Sequence, residues 1–260
     1  MKIWCGGRRK KLVKIYGERN TGTNYLSQLI RLNLEVEELP GIVPNYIMDI
    51  QRLLLGEEVV RDIYFTITCR YNLGWKHTCV KSDEVIKTYG VAKKHNLSFV
   101  TVTKNPYSWL LSLYRRPYHQ YWREKPNFEK FLRTPWKTVG RDGVRKMLPS
   151  PVELWNIKNS SYLKLENSFP CLNLRYEDVL YDPESAIQLI AETFFYEMRS
   201  ARFQNLESST KEGDKDYGFY LDYYLSEEWK NELSPRAISI INERLSSDLM
   251  NFFGYYLLCP

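Results

Sequence analysis

The sequence predicts an α/β fold in which a central parallel sheet is flanked by helices. Three observations carry this. Short apolar, β-branched runs alternate with segments of helical period, the pattern of a parallel sheet. The clearest run, "LSFVTVT" at 97–103, is apolar along almost its whole length, as in a strand covered on both faces. Two runs lead straight into helices through turns that carry glycine or Asn-Pro, and ligands of such sheets sit at the carboxyl ends of strands.

The elements follow in order. "KLVKIYG" (11–17) reads as a short buried strand. In "TGTNYLSQLIRLNL" (21–34), Tyr25, Leu26, Leu29 and Ile30 share one helical face. Residues 35–72 show little periodicity, with a helix from Tyr46 to Leu55 as the one reading. "LGWKH" (73–77) reads as the end of a strand, and 82–96 as a helix with Ser82 as N-cap and acids in its first turn. After the 97–103 strand, Pro106 starts a helix over 104–116. A short helix lies in "NFEKFLRTPW" and a longer one in 150–168. Residues 171–180 read as a strand, 182–195 as a helix with Pro183 at N1, and 234–254 as a last helix. With no repeat and no low-complexity linker, the 260 residues read as one domain.

Composition narrows the function classes. The net charge of +6 suits an anionic ligand without demanding nucleic acid. The cysteines Cys5, Cys69, Cys79, Cys171 and Cys259 form no CxxC pair, which argues against a disulfide framework or a structural zinc. Free thiols in a reducing cytoplasm are the expectation. The N-terminus lacks the apolar core of a signal peptide, and no run of about 18 apolar residues suggests a membrane span. Neither HExxH nor clustered carboxylates at metal spacing occur, so no metal is expected.

"GERNTGTNY" (17–25) lies after a strand and before a helix, the context of a phosphate- or sulfate-binding loop. Thr21 and Thr23 add hydroxyls, and Arg19 adds a forked cation. Gly17 and Gly22 have Walker A spacing, yet Thr23 and Asn24 stand where GK[ST] requires lysine and a magnesium-binding hydroxyl. A plain strand-to-helix turn capped by threonines is the competing reading of this loop alone. The second stretch, "FVTVTKNPYSWLLSLYRRPYH" (99–119), puts Lys104 at a strand end and Ser112 about two turns into the following helix, where both could meet one phosphate.

Together the two stretches resemble the PAPS-dependent sulfotransferase family, whose loop reads like "KSGTTW" or "RSGTT" and whose second motif reads "RNPxDxxxSxY". PAPS is 3′-phosphoadenosine 5′-phosphosulfate. The resemblance implies a P-loop-NTPase-like sulfotransferase fold. It implies that Arg19, Asn20, Thr21, Gly22, Thr23 and Asn24 clasp the 5′-phosphosulfate, and that Lys104 and Ser112 hold the 3′-phosphate. Lys104 stands where the family has Arg, which keeps the charge and loses the fork. "LRYEDVLYDPESAI" (174–187) is similar to the family's "YEDL…DP" segment, which makes Tyr176 an adenine contact; Tyr25 falls where a Trp stacks on adenine. Core packing for Tyr176 and helix capping for Asp182 are the bland readings. The four segments span residues 14–187. The family's loop cation two before the glycine is here Asn20, with Arg19 one earlier, and "KGxxGxWK" is absent; Lys211 and Lys215 in "STKEGDKDYGF" stand in roughly that place.

Sulfuryl transfer needs a base at the acceptor hydroxyl and positive charge at the leaving oxygen. By similarity to the family's "KTH", His77 is the base and Lys76 with Arg19 the charge stabilisers, although alternation along a strand would part Lys76 from His77. His119 in "RRPYH" is the second choice and Glu18 a carboxylate alternative; His95 reads as a solvated helix end. The expected activity is transfer from PAPS to a hydroxyl of a small-molecule or glycan acceptor, a carbohydrate being expected because the loop resembles bacterial and Golgi-type members of the family more than the small-phenol enzymes, with Trp122 and Trp136 as sugar-stacking surfaces. A P-loop nucleotide kinase and a non-catalytic nucleotide-binding module are the alternatives.

Overall fold

A computed structural model of the chain describes residues 9–53, 57–206 and 216–260. In chain order the elements are β1 (Lys11–Tyr16), α1 (Thr23–Asn33), β2 (Glu37–Glu38), α2 (Asn45–Leu53), α3 (Glu57–Asn72), α4 (Asp83–Thr88), α5 (Gly90–Lys94), β3 (Asn96–Thr103), α6 (Pro106–Arg115) and α7 (Phe128–Arg133). There follow β4 (Trp136–Lys137), β5 (Met147–Leu148), α8 (Pro151–Leu163), β6 (Cys171–Arg175), α9 (Tyr176–Tyr181), α10 (Pro183–Phe194), α11 (Tyr217–Leu225), α12 (Pro235–Asn242) and α13 (Ser247–Phe252).

The main sheet has the order β2-β1-β3-β6, with every pair parallel. The chain moves from β1 outward to β2, then crosses to the other side of β1 to form β3. The β1/β3 boundary is therefore the topological switch point, where open α/β sheets leave a crevice. Alternation along the strands separates two cores. Val13, Ile15, Val100 and Val102 face a large core shared with α1, α6, α8 and α10. Leu12, Tyr16, Leu97 and Phe99 face a smaller one with Tyr162 and Leu165.

Lys14 lies fully buried on β1, and its ammonium donates to the carbonyls of Pro40 (2.8 Å), Asn72 (2.7 Å) and Gly74 (2.7 Å). Burial lowers it to about 7. Three carbonyl partners meet the need of a buried ammonium for acceptors, and they tie the loop after α3 to the sheet. Helix starts follow capping rules. Asn105 accepts from the Tyr107 amide (3.1 Å) with Pro106 at N1 of α6, and Asp182 accepts from the Ser185 amide (2.9 Å) at α10.

Four sequence readings change. Residues 73–77 are a loop after α3, not a strand end. The 82–96 helix is broken at Tyr89, whose backbone is extended, and Ser82 precedes α4 without a side-chain capping bond. The 171–180 strand ends at Arg175 and becomes α9. The last helix divides into α12 and α13, with Ser246 capping the second. Among the described residues no helix is long and apolar enough to cross a membrane.

Candidate active site

The register of β1 on β3 builds the first candidate anion site. Tyr16 pairs with Thr101, so Gly17 falls beside Val102, where a Cβ would approach the Val102 carbonyl to 2.6 Å. The Gly17 amide donates to the carbonyl of Lys76 (3.0 Å). The loop then turns through left-handed residues Asn20 (φ 67°) and Gly22 (φ 81°), and Thr21 Oγ1 donates to the Glu18 carbonyl (2.6 Å). A Cβ on Gly22 would run into the Tyr176 ring, so only glycine fits there. Gly22 also has no side chain with which to cap α1. The first amides of α1, at Thr23, Asn24 and Tyr25, therefore present the positive end of the helix at the loop mouth. The Lys76 ammonium bonds to the Asn24 side chain. The cation that the loop lacks in sequence thus arrives from residue 76 in space.

The second candidate anion site lies at the end of β3. Lys104 Nζ donates to Ser112 Oγ on α6 (3.0 Å) and to the hydroxyl of Tyr224 on α11 (2.9 Å). Its ammonium is also 4.2 Å from the Tyr224 ring centre and 5.5 Å from that of Tyr176. The Asn20 side chain donates to the Ser112 carbonyl (3.4 Å), which joins the two sites. Tyr176 is buried at the start of α9 and meets Tyr224 edge-on at 5.2 Å. Burial holds its phenol well above the ordinary value. Tyr25 is half-buried, donates to Asn205 (2.8 Å) and lies 6.4 Å from the Tyr217 ring.

Between the loop and α3 opens a cleft of about 230 Å³. Arg19, Thr23, Asn24, Lys76, His77 and His119 line it, with Ile42, Arg61, Trp75, Tyr118 and Arg141. His77 and Lys76 both reach it because they sit in a turn rather than along a strand. His77 donates from Nδ1 to the Gly17 carbonyl, which places the lone pair of the neutral ring on Nε2. His119 is arranged differently. A guanidinium only donates, so His119 Nε2 accepts from Arg19 (2.6 Å) and Nδ1–H faces Glu58 (3.0 Å).

Ion pairs hold this wall. Glu58 and Asp62 of α3 both pair with Arg141, the latter at 2.8 Å. Burial alone would raise the Glu58 carboxyl, but hydrogen bonds from His119 and Arg141 and the Arg141 charge take it down to about 2. Beneath the loop, Asp142 pairs with Lys158 (3.0 Å) and Arg19 (3.5 Å), while Glu18 pairs with Arg19 (3.2 Å) and Lys158 (3.4 Å). Burial would raise Asp142 too; the Lys158 and Arg19 charges, with the Val139 amide, hold it well below the carboxylate range. Two carboxylates thus neutralise two cations inside the protein, as a buried charge requires. The Arg19 guanidinium also stacks 4.5 Å from the Trp75 ring centre.

The sequence-marked residues divide accordingly. Arg19 to Tyr25, Lys76, His77 and His119 surround the loop and cleft, and Lys104, Ser112 and Tyr176 gather at the second site. Glu18 is buried in the ion-pair network and does not line the cleft. His95 ends α5, outside the cleft lining. Trp136 is buried against Phe131, and Trp122 packs on the same ring, so neither is the exposed surface expected. Lys211 and Lys215 lie outside the described residues. Sequence reading missed Glu58, Asp62, Arg61, Arg141 and Tyr224. The tyrosines at 217, 220 and 224 share a helical spacing, which marks a helix face but not the partners of Tyr224. Among the described residues no group of three or more His, Cys, Asp or Glu is placed to hold a metal ion.

No family model and no curated protein matches the sequence. Solved structures do resemble the fold. The sulfotransferase domain from the curacin biosynthetic pathway is 15% identical, with 96% of this chain and 100% of that one covered and a TM-score of 0.46. The sulfotransferase domain from the Synechococcus PCC 7002 olefin synthase is 14% identical, with 99% and 100% covered and a TM-score of 0.47. Mouse sulfotransferase SULT7A1 complexed with PAP is 12% identical, with 95% and 89% covered and a TM-score of 0.52. The likeness to the mouse protein shows that the chain has the sulfotransferase fold.

Proposed function

We propose that the chain is a PAPS-dependent sulfotransferase acting on a hydroxyl acceptor, with a carbohydrate as the favoured class. One observation carries this reading. Two cationic sites stand apart at the carboxyl edge of the sheet, one at the loop and Lys76, the other at Lys104 and Ser112, with tyrosines around them. A nucleotide phosphorylated at both the 3′ and 5′ positions matches two sites; the linear triphosphate of ATP calls for one continuous cradle with its own lysine. The mouse structure's bound PAP supports the same choice.

The residues fit such a group. The left-handed Gly22 and the uncapped start of α1 leave a cradle of amides, which with Arg19, Asn20, Thr21, Thr23, Asn24 and Lys76 would hold the 5′ end. Lys104 and Ser112 would hold the 3′-phosphate, and Tyr25 and Tyr176 would flank the adenine. Bound PAPS supplies an activated sulfuryl group. The chain supplies position, charge and a base. His77 Nε2 takes the acceptor proton, with the tautomer set by the Gly17 carbonyl. Lys76 and Arg19 offset the charge that grows on the leaving oxygen, and His119, braced by Glu58, holds Arg19 in place. Trp75 and Tyr118 give the cleft aromatic walls suited to a sugar ring. Free thiols at Cys69, Cys79, Cys171 and Cys259 support a reducing, cytoplasmic setting.

Calorimetric binding of adenosine 3′,5′-bisphosphate against Mg-ATP tests the reading. Metal-independent preference for the bisphosphate is the expected result. Preference for Mg-ATP would make the chain a phosphotransferase, and binding of neither would remove the assignment.

A further inference from the structure

The second anion site contains a group that the sequence motifs do not. Lys104 Nζ, Ser112 Oγ and the Tyr224 hydroxyl form a triangle with sides of 3.0, 2.9 and 3.3 Å. Tyr224 comes from α11, far along the chain from β3 and α6. The Lys104 side chain is buried, so its ammonium has been brought out of water to meet two hydroxyls. A lone lysine is a point charge with flexible donors, unlike the fixed fork of arginine. A neighbouring hydroxyl is one way to restore a second donor at a set angle.

We infer that Tyr224 is a specificity-determining residue, whose hydroxyl donates to the 3′-phosphate beside Lys104 and Ser112 and so selects 3′-phosphorylated nucleotides. This rests on the proposed nucleotide. Three features support it. The ring is pinned: it packs edge-on against Tyr176 and Tyr223 and stacks with Tyr220, which leaves the hydroxyl little freedom. The hydroxyl is aimed at the cation rather than at solvent, since Tyr224 is 9% exposed. Burial pushes the phenol up, but the Lys104 charge, bonds with Lys104 and Ser112 and the Arg115 charge more than reverse this, so it lies below its ordinary value. A more acidic phenol is a stronger donor to an anion.

The test compares the affinities of wild type, Tyr224→Phe and Tyr223→Phe for adenosine 3′,5′-bisphosphate and for 5′-AMP, which lacks the 3′-phosphate. Phenylalanine keeps the ring against Lys104 and Tyr176, and retained AMP binding reports a folded variant. Tyr223, whose hydroxyl meets Arg115 and Glu232 instead, controls for α11 itself. Expected is a loss of about tenfold or more in bisphosphate affinity for Tyr224→Phe, with AMP unchanged and Tyr223→Phe like wild type. Bisphosphate affinity equal to or tighter than wild type in Tyr224→Phe would overturn the inference and leave the sulfotransferase reading standing. No preference for the bisphosphate in wild type would overturn the reading and the inference together. A second measurement needs no variant. In a crystal structure with the bisphosphate bound, the Tyr224 hydroxyl within hydrogen-bond distance of the 3′-phosphate supports the inference, and a displaced Tyr224 overturns it.

Discussion

The two walls of the crevice are built by different means. The wall formed by the loop and the end of β3 hangs on the sheet. Strand register sets Gly17 beside Val102, and β3 and α6 deliver Lys104 and Ser112 to each other. The wall formed by α3 and Arg141 hangs on charge. Glu58 and Asp62 grip Arg141 and Glu58 orients His119, and the charges continue beneath the loop, where Asp142 with Glu18 neutralises Lys158 and the loop's own Arg19. Strand register, fixed by backbone hydrogen bonds, is indifferent to pH over the range where carboxylates titrate. A wall fixed by carboxylates is not.

The sharpest way to break this contrast is Asp142→Ala. It leaves Lys158 and Arg19 with one carboxylate between them, and the expected cost is about 3–5 kcal/mol of stability. Denaturant unfolding measures it; a loss under 1 kcal/mol would mean that charge does not hold this wall. Lys104→Ala comes next and acts on binding. Removing the ammonium should weaken adenosine 3′,5′-bisphosphate by about 10- to 100-fold, read by calorimetry, with a smaller fall in Tm than Asp142→Ala. An equal loss of Tm with unchanged affinity would assign Lys104 to folding alone.

Glu58→Gln sharpens the pH side. The folded carboxyl lies at about 2, below its ordinary 4.5, so its contribution is complete above 4.5 and is lost as pH falls towards 2. The variant should be less stable than wild type at neutral pH, and the gap should close through that acid window. A gap that stays constant down to pH 2 would show that the carboxylate's charge is not what matters. The smallest effect is expected for Ile63→Lys. Ile63 is 54% exposed on the outer side of α3, and the change should stay within about 0.5 kcal/mol in thermal melts.

That last pair explains where sequence reading stopped. β1, β3 and their following helices were legible because their apolar residues face inward with the period of their element. The same regularity exposed Lys104 and Ser112 as a pair. In α3 the polarity is reversed. Glu58, Asp62 and the buried Phe65 face the protein, whereas Val59, Ile63, Ile67 and Tyr71 are exposed. No buried apolar stripe marks the inward face of α3, so this wall was not legible in the sequence. Lys76 and His77 both line the cleft, whereas alternation along a strand would send such neighbours to opposite faces and a tight loop does not. Tyr224 could not be placed by any local rule, since its partners lie on β3 and α6.

The contact between Gly22 and Tyr176 has a consequence in time. The loop's glycine is made early in synthesis, and the ring that packs against it belongs to the segment after the last strand of the sheet. On the ribosome the N-terminal strand and helix emerge long before that ring, with the loop lacking the surface that shapes it. Parallel sheets close their distant contacts late, at the entropic cost of long loops. The loop and the ring that shapes it are therefore among the last parts of the fold to mature, however early the loop itself is made.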